Sequence, residues 1–340
     1  MEAAQGLVTI IVINWNGKEY LKDCFTSLER QTYSSLELII VDNASGDGSV
    51  EYVREHFPKV KVIVNHENIG FGAAVNRGVA HAQGEYVLFL NNDLYLDERC
   101  VEKMVAMIRD ETVGAVVPKI LYFDERNRIN SFGNLVNYLG IACPKYINEE
   151  EGEHQQVEET TCGGIFLIKK ALFTQVGGFD PNFFIYHEDH DLSWRIRLGG
   201  KALMVNPEAV MYHKYHFGRN PKKYYYSEKN RLQLLLKNYC LKTLVLILPA
   251  LVLVELAELC FALTTGWFIL KLKSYLEIAR LLPRILEKRR AIQRLRKVSD
   301  REITRLFVGT LRISGITHPL LDKCLSPILN SYWKLIKFGI

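Results

Sequence analysis

The chain has 340 residues, 48% of them apolar and 24% charged, with a formal net charge of +5. That composition excludes a disordered chain and leaves room for one large domain with an appendage, or for two ordinary domains. The charge is unevenly placed: Lys271 to Arg301 holds eleven Lys or Arg against Glu277, Glu287 and Asp300, so the rest of the chain is acidic on balance.

Met1 to Gly6 lacks a basic stretch leading into an apolar one, and Leu7 to Ile13 is too short for a leader, so no secretion signal is expected. Val8 to Ile13, Leu38 to Val41, Val60 to Val64 and Tyr86 to Leu90 are continuous β-branched runs bounded by Asn, Asp or Gly, which reads as buried parallel strands. Between them lie helical patterns at Lys18 to Arg30, Ser49 to His56 and Phe71 to Ala82, with Asp97 to Arg109 after the fourth strand. The alternation predicts an α/β fold with a doubly wound, mostly parallel sheet, whose ligands sit at the carboxyl ends of the strands.

Val113 to Pro118 is a further strand, while Asp124 to Asn134 and Glu149 to Glu159 read as exposed loops. Gly163-Gly164 leads into Ile165 to Ile168 and a helix from Lys170 to Gln175, which Gly177-Gly178 stops. Glu188 opens another helix, ending near Gly199-Gly200, and short strands at Ala202 to Val205 and Ala209 to Tyr212 deliver His213. Trp194 and Phe179 read as core packing, whereas Phe183 and Phe184 are candidates for stacking on a ligand.

The character changes after Tyr224-Tyr225-Tyr226, and the chain divides into a first domain (1–237) and an apolar and basic helical region (238–340). Leu241 to Leu270 is strongly apolar but carries Pro249, Glu255 and Glu258, and two acids on one helical face argue against a simple membrane span. Two readings stand: helices lying in a membrane interface or packed as a pair, or a helical subdomain buried against the core. The basic amphipathic pattern from Leu272 to Lys288 suits an anionic membrane surface. Seven scattered cysteines without Cys-x-x-Cys spacing point to reduced thiols and away from zinc.

Two acidic clusters lie at the ends of apolar segments: Asn91-Asn92-Asp93 and Glu188-Asp189-His190-Asp191. Together they suggest a metal and a base. An acid at the end of strand two, Asp42, also describes dinucleotide-binding domains, but Asn14-Trp15-Asn16-Gly17 offers no Gly-rich phosphate turn after strand one.

Taken in order, Asp42 to Ser49, Asn68-Ile69-Gly70-Phe71-Gly72, Asn91-Asn92-Asp93 and Glu188-Asp189-x-Asp191 with Trp194-Arg195 resemble family 2 glycosyltransferases with the A-type fold, from Val8 to Arg231. Val12 to Gly17, Gly177 to Pro181, Asn230-Arg231 with Leu236 to Tyr239, and Lys288-Arg289-Arg290 are similar to rhamnosyltransferase-like members. The resemblance implies inverting transfer of a sugar, dTDP-rhamnose being one candidate donor, to a lipid-linked or polysaccharide acceptor. The setting implied is the cytoplasmic side of a membrane, attached peripherally or monotopically, with no nucleic-acid partner.

It places Asn14, Asp42, Asn68, Gly70, Asn91, Asn92 and Asp93 toward the donor. Asp93 and His213 would hold Mn²⁺ or Mg²⁺, Asn91 departing from the family's Asp-x-Asp. Asp189 would be the base, with Glu188, Asp191, Phe184 and Gly164 facing the acceptor. His216, Arg219 and Lys222 to Tyr225 would form a lid over the diphosphate. Two alternatives stay open, a nucleotidyltransferase and a non-catalytic sugar-nucleotide binder.

Overall fold

The β-branched runs near the start of the chain form the middle of a sheet. In the computed structural model, β1 (Ala4–Asn14), β2 (Leu36–Asp42), β3 (Lys61–Val64) and β4 (Gly84–Asn91) pair in parallel in the order β4-β1-β2-β3. They are joined by α1 (Lys18–Glu29), α2 (Ser49–His56) and α3 (Phe71–His81). Val8, Ile10, Ile11 and Val12 are wholly buried because helices cover both faces, so these strands carry apolar side chains on both sides rather than in alternation. The structure describes residues 4–214, 221–311, 319 and 321–340. Met1 to Ala3, and the lid residues His216 and Arg219, lie outside the described residues.

After β4 the chain runs through β5 (Leu94–Leu96), α4 (Cys100–Ile108) and β6 (Val113–Tyr122), then through the short strands β7 (Ile129–Ser131), β8 (Asn134–Val136), β9 (Ala142–Pro144), β10 (Glu158–Glu159) and β11 (Leu167–Lys169). α5 (Lys170–Gln175), α6 (Glu188–Leu198) and β12 (Ala202–His213) follow. The full path is β10-β12-β6-β11-β4-β1-β2-β3, with β5 on β12 and β7 on β6. The expected α/β fold stands, and the sheet is mixed: β11 enters antiparallel between β4 and β6, and β5, β7 and β10 also pair antiparallel with their neighbours.

Two loop readings are corrected. Asp124 to Asn134 contains β7, with Ile129 and Asn130 buried, and Glu158-Glu159 pairs with β12 as β10. Three-residue strands show no period, and flanking charges disguised them. The two short strands before His213 are one strand, β12, whose pairing with β6 slips between Asn206 and Val210, around Pro207.

The C-terminal helices are α7 (Pro221–Asn238), α8 (Leu241–Thr265), α9 (Phe268–Leu295), α10 (Asp300–Thr304) and α11 (Ser326–Ile336). They share one apolar cluster with the first part of the chain, in which Trp194 and Leu198 of α6 and Tyr138 meet Tyr239, Ile247, Val254, Ile292 and Trp333. Tyr138 stacks on Trp333 with ring centroids 4.8 Å apart. Glu255 and Glu258 of α8 turn inward, where with Glu228 they surround Arg231 and Lys271, at 2.7 Å for Arg231–Glu228 and 2.8 Å for Lys271–Glu255. The outer face of α8 is left apolar, with Leu241, Val245, Leu248, Leu256 and Leu263 each more than half exposed. Among the described residues this is the one helix long and apolar enough to cross a membrane.

Candidate active site

Parallel pairing sets Asn14 beside Asp42 and Ile13 beside Asn91, so the ends of β1, β2 and β4 converge. Asn14 accepts a hydrogen bond from Asn92 Nδ2 at 2.6 Å and donates to Asp42 Oδ2 at 2.7 Å and Ser45 Oγ at 3.1 Å. Asp42 also accepts from the Ser45 amide and hydroxyl, at 2.8 and 2.7 Å. Asn14 and Asp42 have no exposed surface. Bonded to each other and to Ser45, they fix the shape of the loop at the strand ends. Exposed groups at this mouth include Trp15, at 58%, with Asn16, Ala44 and Gly46. Trp15, next to Asn14, is an aromatic platform to which the sequence reading gave no role.

Asn68 and Gly70 form a second seam. Asn68 Oδ1 accepts from the Gly70 amide at 3.0 Å, and Asn43 donates to the Gly70 carbonyl at 3.3 Å. Gly70 has φ +83°, and a Cβ there would lie 2.2 Å from the Phe184 carbonyl oxygen. This close backbone approach clamps the Phe184 loop onto the start of α3.

Asp93 and His213 meet because β5 pairs with β12 in a register that sets Leu94 opposite His213. His213 Nε2 lies 3.2 Å from Asp93 Oδ2, and its Nδ1 lies 3.0 Å from Oδ1 of the buried Asn130. Asp93 Oδ1 is buried without a hydrogen-bond partner. Asn91 precedes them at the end of β4, half-buried.

The acceptor end is built on α6. Tyr186 and His187 take left-handed backbone angles, φ +68° and +66°, which aim the first turn of α6. Asn230 of α7 pins them by donating to the carbonyls of Ile185 and Tyr186, both at 2.8 Å. Strain of about 1–3 kcal/mol per such residue persists where surrounding structure fixes it, and it concentrates at functional sites. Glu188 is buried, whereas Asp189 is partly exposed. Burial pushes the Asp189 carboxyl up to about 6; burial and then the Asp189 charge push Glu188 up to about 8. Both carboxyls are thus pushed upward, Glu188 further than Asp189, and their two titration steps belong to the pair.

Gly164 stands beside that carboxylate, a Cβ on it falling 3.7 Å from Asp189 Oδ2, and Phe184 is half-buried and stacked on Tyr226 at 5.4 Å. Asp191 is wholly buried and bound by Arg195 at 2.8 Å, Lys237 at 2.9 Å and Asn238 at 3.0 Å, contacts that anchor α6. Phe183 is buried as well, with Lys237 Nζ 4.4 Å from its ring centre. Trp194 and Phe179 are core residues as expected.

Comparison with known proteins agrees with this geometry. The family described as Glycosyl transferase family 2 matches residues 9–177, and one described as N-terminal domain of galactosyltransferase matches residues 147–217. The chain belongs to glycosyltransferase family 2. It is 26% identical over 242 residues to an N-acetylglucosaminyl-diphospho-decaprenol L-rhamnosyltransferase of Mycobacterium tuberculosis, covering 63% of this chain and 79% of that one. It is also 26% identical to the glycosyltransferase GlyG of Streptococcus pneumoniae, covering 61% and 71%. A crystal structure of GalNAc-T7 with UDP, GalNAc and Mn²⁺ has a TM-score of 0.58 at 18% identity, covering 71% of this chain and about half (49%) of that one. That likeness shows the A-type fold.

In this glycosyltransferase the Asp93–His213 pair fits a divalent cation. If Nδ1–H of His213 donates to Asn130, Nε2 turns a lone pair toward Asp93, whose other oxygen is unpartnered; two acceptors facing each other invite a cation. Asn130, missed because its segment read as a loop, then fixes the histidine tautomer. Asn130→Ala is expected to weaken Mn²⁺ binding about 10- to 100-fold, measured by calorimetry, with the melting temperature of the metal-free protein nearly unchanged.

Proposed function

We propose that this glycosyltransferase moves a sugar from a nucleoside-diphosphate donor to a hydroxyl of a lipid-linked acceptor, with inversion at the anomeric carbon. The observation that carries the reading is the partly exposed carboxyl of Asp189 beside the buried Glu188, on a helix that Asn230 and Lys237 hold in place. Asp189 takes the acceptor proton as the oxygen attacks, and a single displacement of this kind inverts the centre. Asp93 and His213 would hold Mn²⁺ or Mg²⁺, which when bound offsets charge on the departing diphosphate. Trp15 offers its face to the nucleoside.

The Mycobacterium relative's name gives L-rhamnosyl as the group moved and a diphospho-decaprenol-linked sugar as acceptor, so dTDP-rhamnose is the first donor to test. Release of nucleoside diphosphate on transfer supports the reading. Release of pyrophosphate would replace it with nucleotidyl transfer.

The apolar outer face of α8, together with the basic composition of α9, supports attachment of residues 238–340 to the cytoplasmic side of a membrane. Deleting that region would strip the cover from Trp194 and Leu198, so the test is a pair of surface charges instead. Val245→Asp with Leu256→Asp is expected to cut sedimentation with anionic liposomes about tenfold or more, each acid costing about 2.5 kcal/mol if it enters lipid. Unchanged sedimentation would remove α8 from the contact.

A further inference from the structure

Lys229 of α7 is a buried cation that the reaction described above does not use. It is 6% exposed, and among the described residues no carboxylate lies within ion-pair distance of it. Its Nζ donates to the Asn182 carbonyl at 3.2 Å and lies 5.9 Å and 5.5 Å from the ring centres of Tyr225 and Tyr226. The acids that bear on it electrostatically are Glu277 and Asp180; Asp180 is already bound by Lys237 and Lys288. Burial dominates and lowers the Lys229 pKa. An uncompensated buried cation is costly, and proteins neutralise such groups by pairing.

A second lysine reaches the same spot from another helix. Lys273 of α9 is exposed, and its Nζ lies 5.6 Å from the Tyr225 ring centre, so two cations converge on one ring. Tyr226 stacks on Phe184, and Asn182 to Tyr186 lead directly to Glu188-Asp189. Along α9, next to Lys273, Ile269, Leu272 and Leu276 are exposed, at 74%, 40% and 72%. Cations and tyrosine rings thus adjoin both the segment that leads to the base and an apolar row, the parts that an amphiphile with an anionic head requires.

We propose that Lys229 and Lys273, with Tyr225 and Tyr226, form the subsite for the diphosphate of a lipid-linked acceptor, whose chain lies along Ile269, Leu272 and Leu276. The proposal rests on the acceptor class given under Proposed function. The ammonium groups supply charge-assisted hydrogen bonds to phosphate oxygens, and the apolar row of α9 takes the first isoprene units. The sugar would then extend along the Phe184 side toward Asp189.

The test is fluorescence titration of the full chain with farnesyl diphosphate in EDTA, which keeps the Asp93–His213 site out of the measurement, with farnesol and inorganic pyrophosphate as controls. Farnesyl diphosphate is expected to bind about tenfold tighter than either control, and Lys229→Met to remove that advantage while leaving farnesol binding unchanged. Lys273→Glu, at an exposed position, is expected to act in the same direction and decides the matter should Lys229→Met fail to fold. Unchanged affinity in folded Lys229→Met and in Lys273→Glu would overturn the subsite, and pyrophosphate binding as tightly as farnesyl diphosphate would overturn the lipid assignment. Failure here with nucleoside diphosphate still released from a sugar donor would leave the transferase reading intact; farnesyl diphosphate binding without sugar transfer would indict that reading instead.

Discussion

Asp189→Asn should lower kcat by about 10²- to 10⁴-fold, the range expected when a positioned general base is lost. Asparagine keeps the shape of the side chain and the start of α6, so donor binding, followed by thermal shift, should survive. The pH dependence carries the sharper signature. With its carboxyl raised to about 6, Asp189 is ionised above that pH and protonated below it. Wild-type kcat/KM should therefore rise with pH through about 6 and level off, and the residual rate of Asp189→Asn should lose that limb. Full turnover in Asp189→Asn would assign the base elsewhere. Glu188→Gln separates the two carboxyls, because glutamine imitates the neutral form that Glu188 holds below about 8. Its turnover at pH 7 should remain close to wild type. A carboxyl whose folded pKa lies above its unfolded value costs stability as pH rises between the two, here from about 4.5 to 8, so Glu188→Gln should melt higher than wild type at pH 8 and gain nothing at pH 4.

Legibility followed the scale of the pattern. The helices Ser49–His56 and Lys170–Gln175 agree with their sequence boundaries because the flanking glycines, Gly48 before the first and Gly177-Gly178 after the second, and the apolar spacing point the same way. β7 and β10 did not show, since two or three residues establish no period and their burial comes from neighbours distant in sequence. The carboxylates of α6 show the same limit at the site. Glu188, Asp189 and Asp191 look equivalent in a row, but positions 189 and 191 are about 200° apart around a helix, so they face opposite ways. Which way each points depends on Lys237 and Asn238, nearly fifty residues later, and no local pattern carries that.

The same reasoning explains α8. Glu255 and Glu258, three apart, were legible as one polar stripe and argued against lipid. Their partners Arg231 and Lys271 come from the helices on either side in sequence, and they remove the stripe from the outer surface. A helix that looked too charged for a membrane thereby presents one of its faces as apolar. Breaking such a cluster at one member leaves buried charge unmatched, at a cost of about 3–5 kcal/mol, so its members are poor choices for testing membrane contact and exposed Val245 and Leu256 are better ones.

Asp93→Ala should abolish metal-dependent donor binding, and the sign of its effect on stability should depend on what is bound. Without metal, Asp93 has one buried oxygen unpartnered and the other 3.2 Å from a histidine nitrogen, an arrangement that contributes little to the fold. Alanine there should leave the melting temperature unchanged or raise it slightly. In wild type, a sugar nucleotide with Mn²⁺ at 100 times its dissociation constant should stabilise the fold by about 2.7 kcal/mol, and EDTA should cancel most of that. The Asp93→Ala protein should show only the EDTA-level response, whichever cation is added. His213→Ala should fall between the two, because the carboxylate remains, and should bind Mn²⁺ and Mg²⁺ with less discrimination once the imidazole is gone. Asn91→Asp gives the converse: it adds a carboxylate where the family carries one, two residues before Asp93, and should tighten metal binding if Asn91 reaches the ion. A full Mn²⁺ response in Asp93→Ala would separate the cation from the Asp93–His213 pair and with it the role assigned to Asn130.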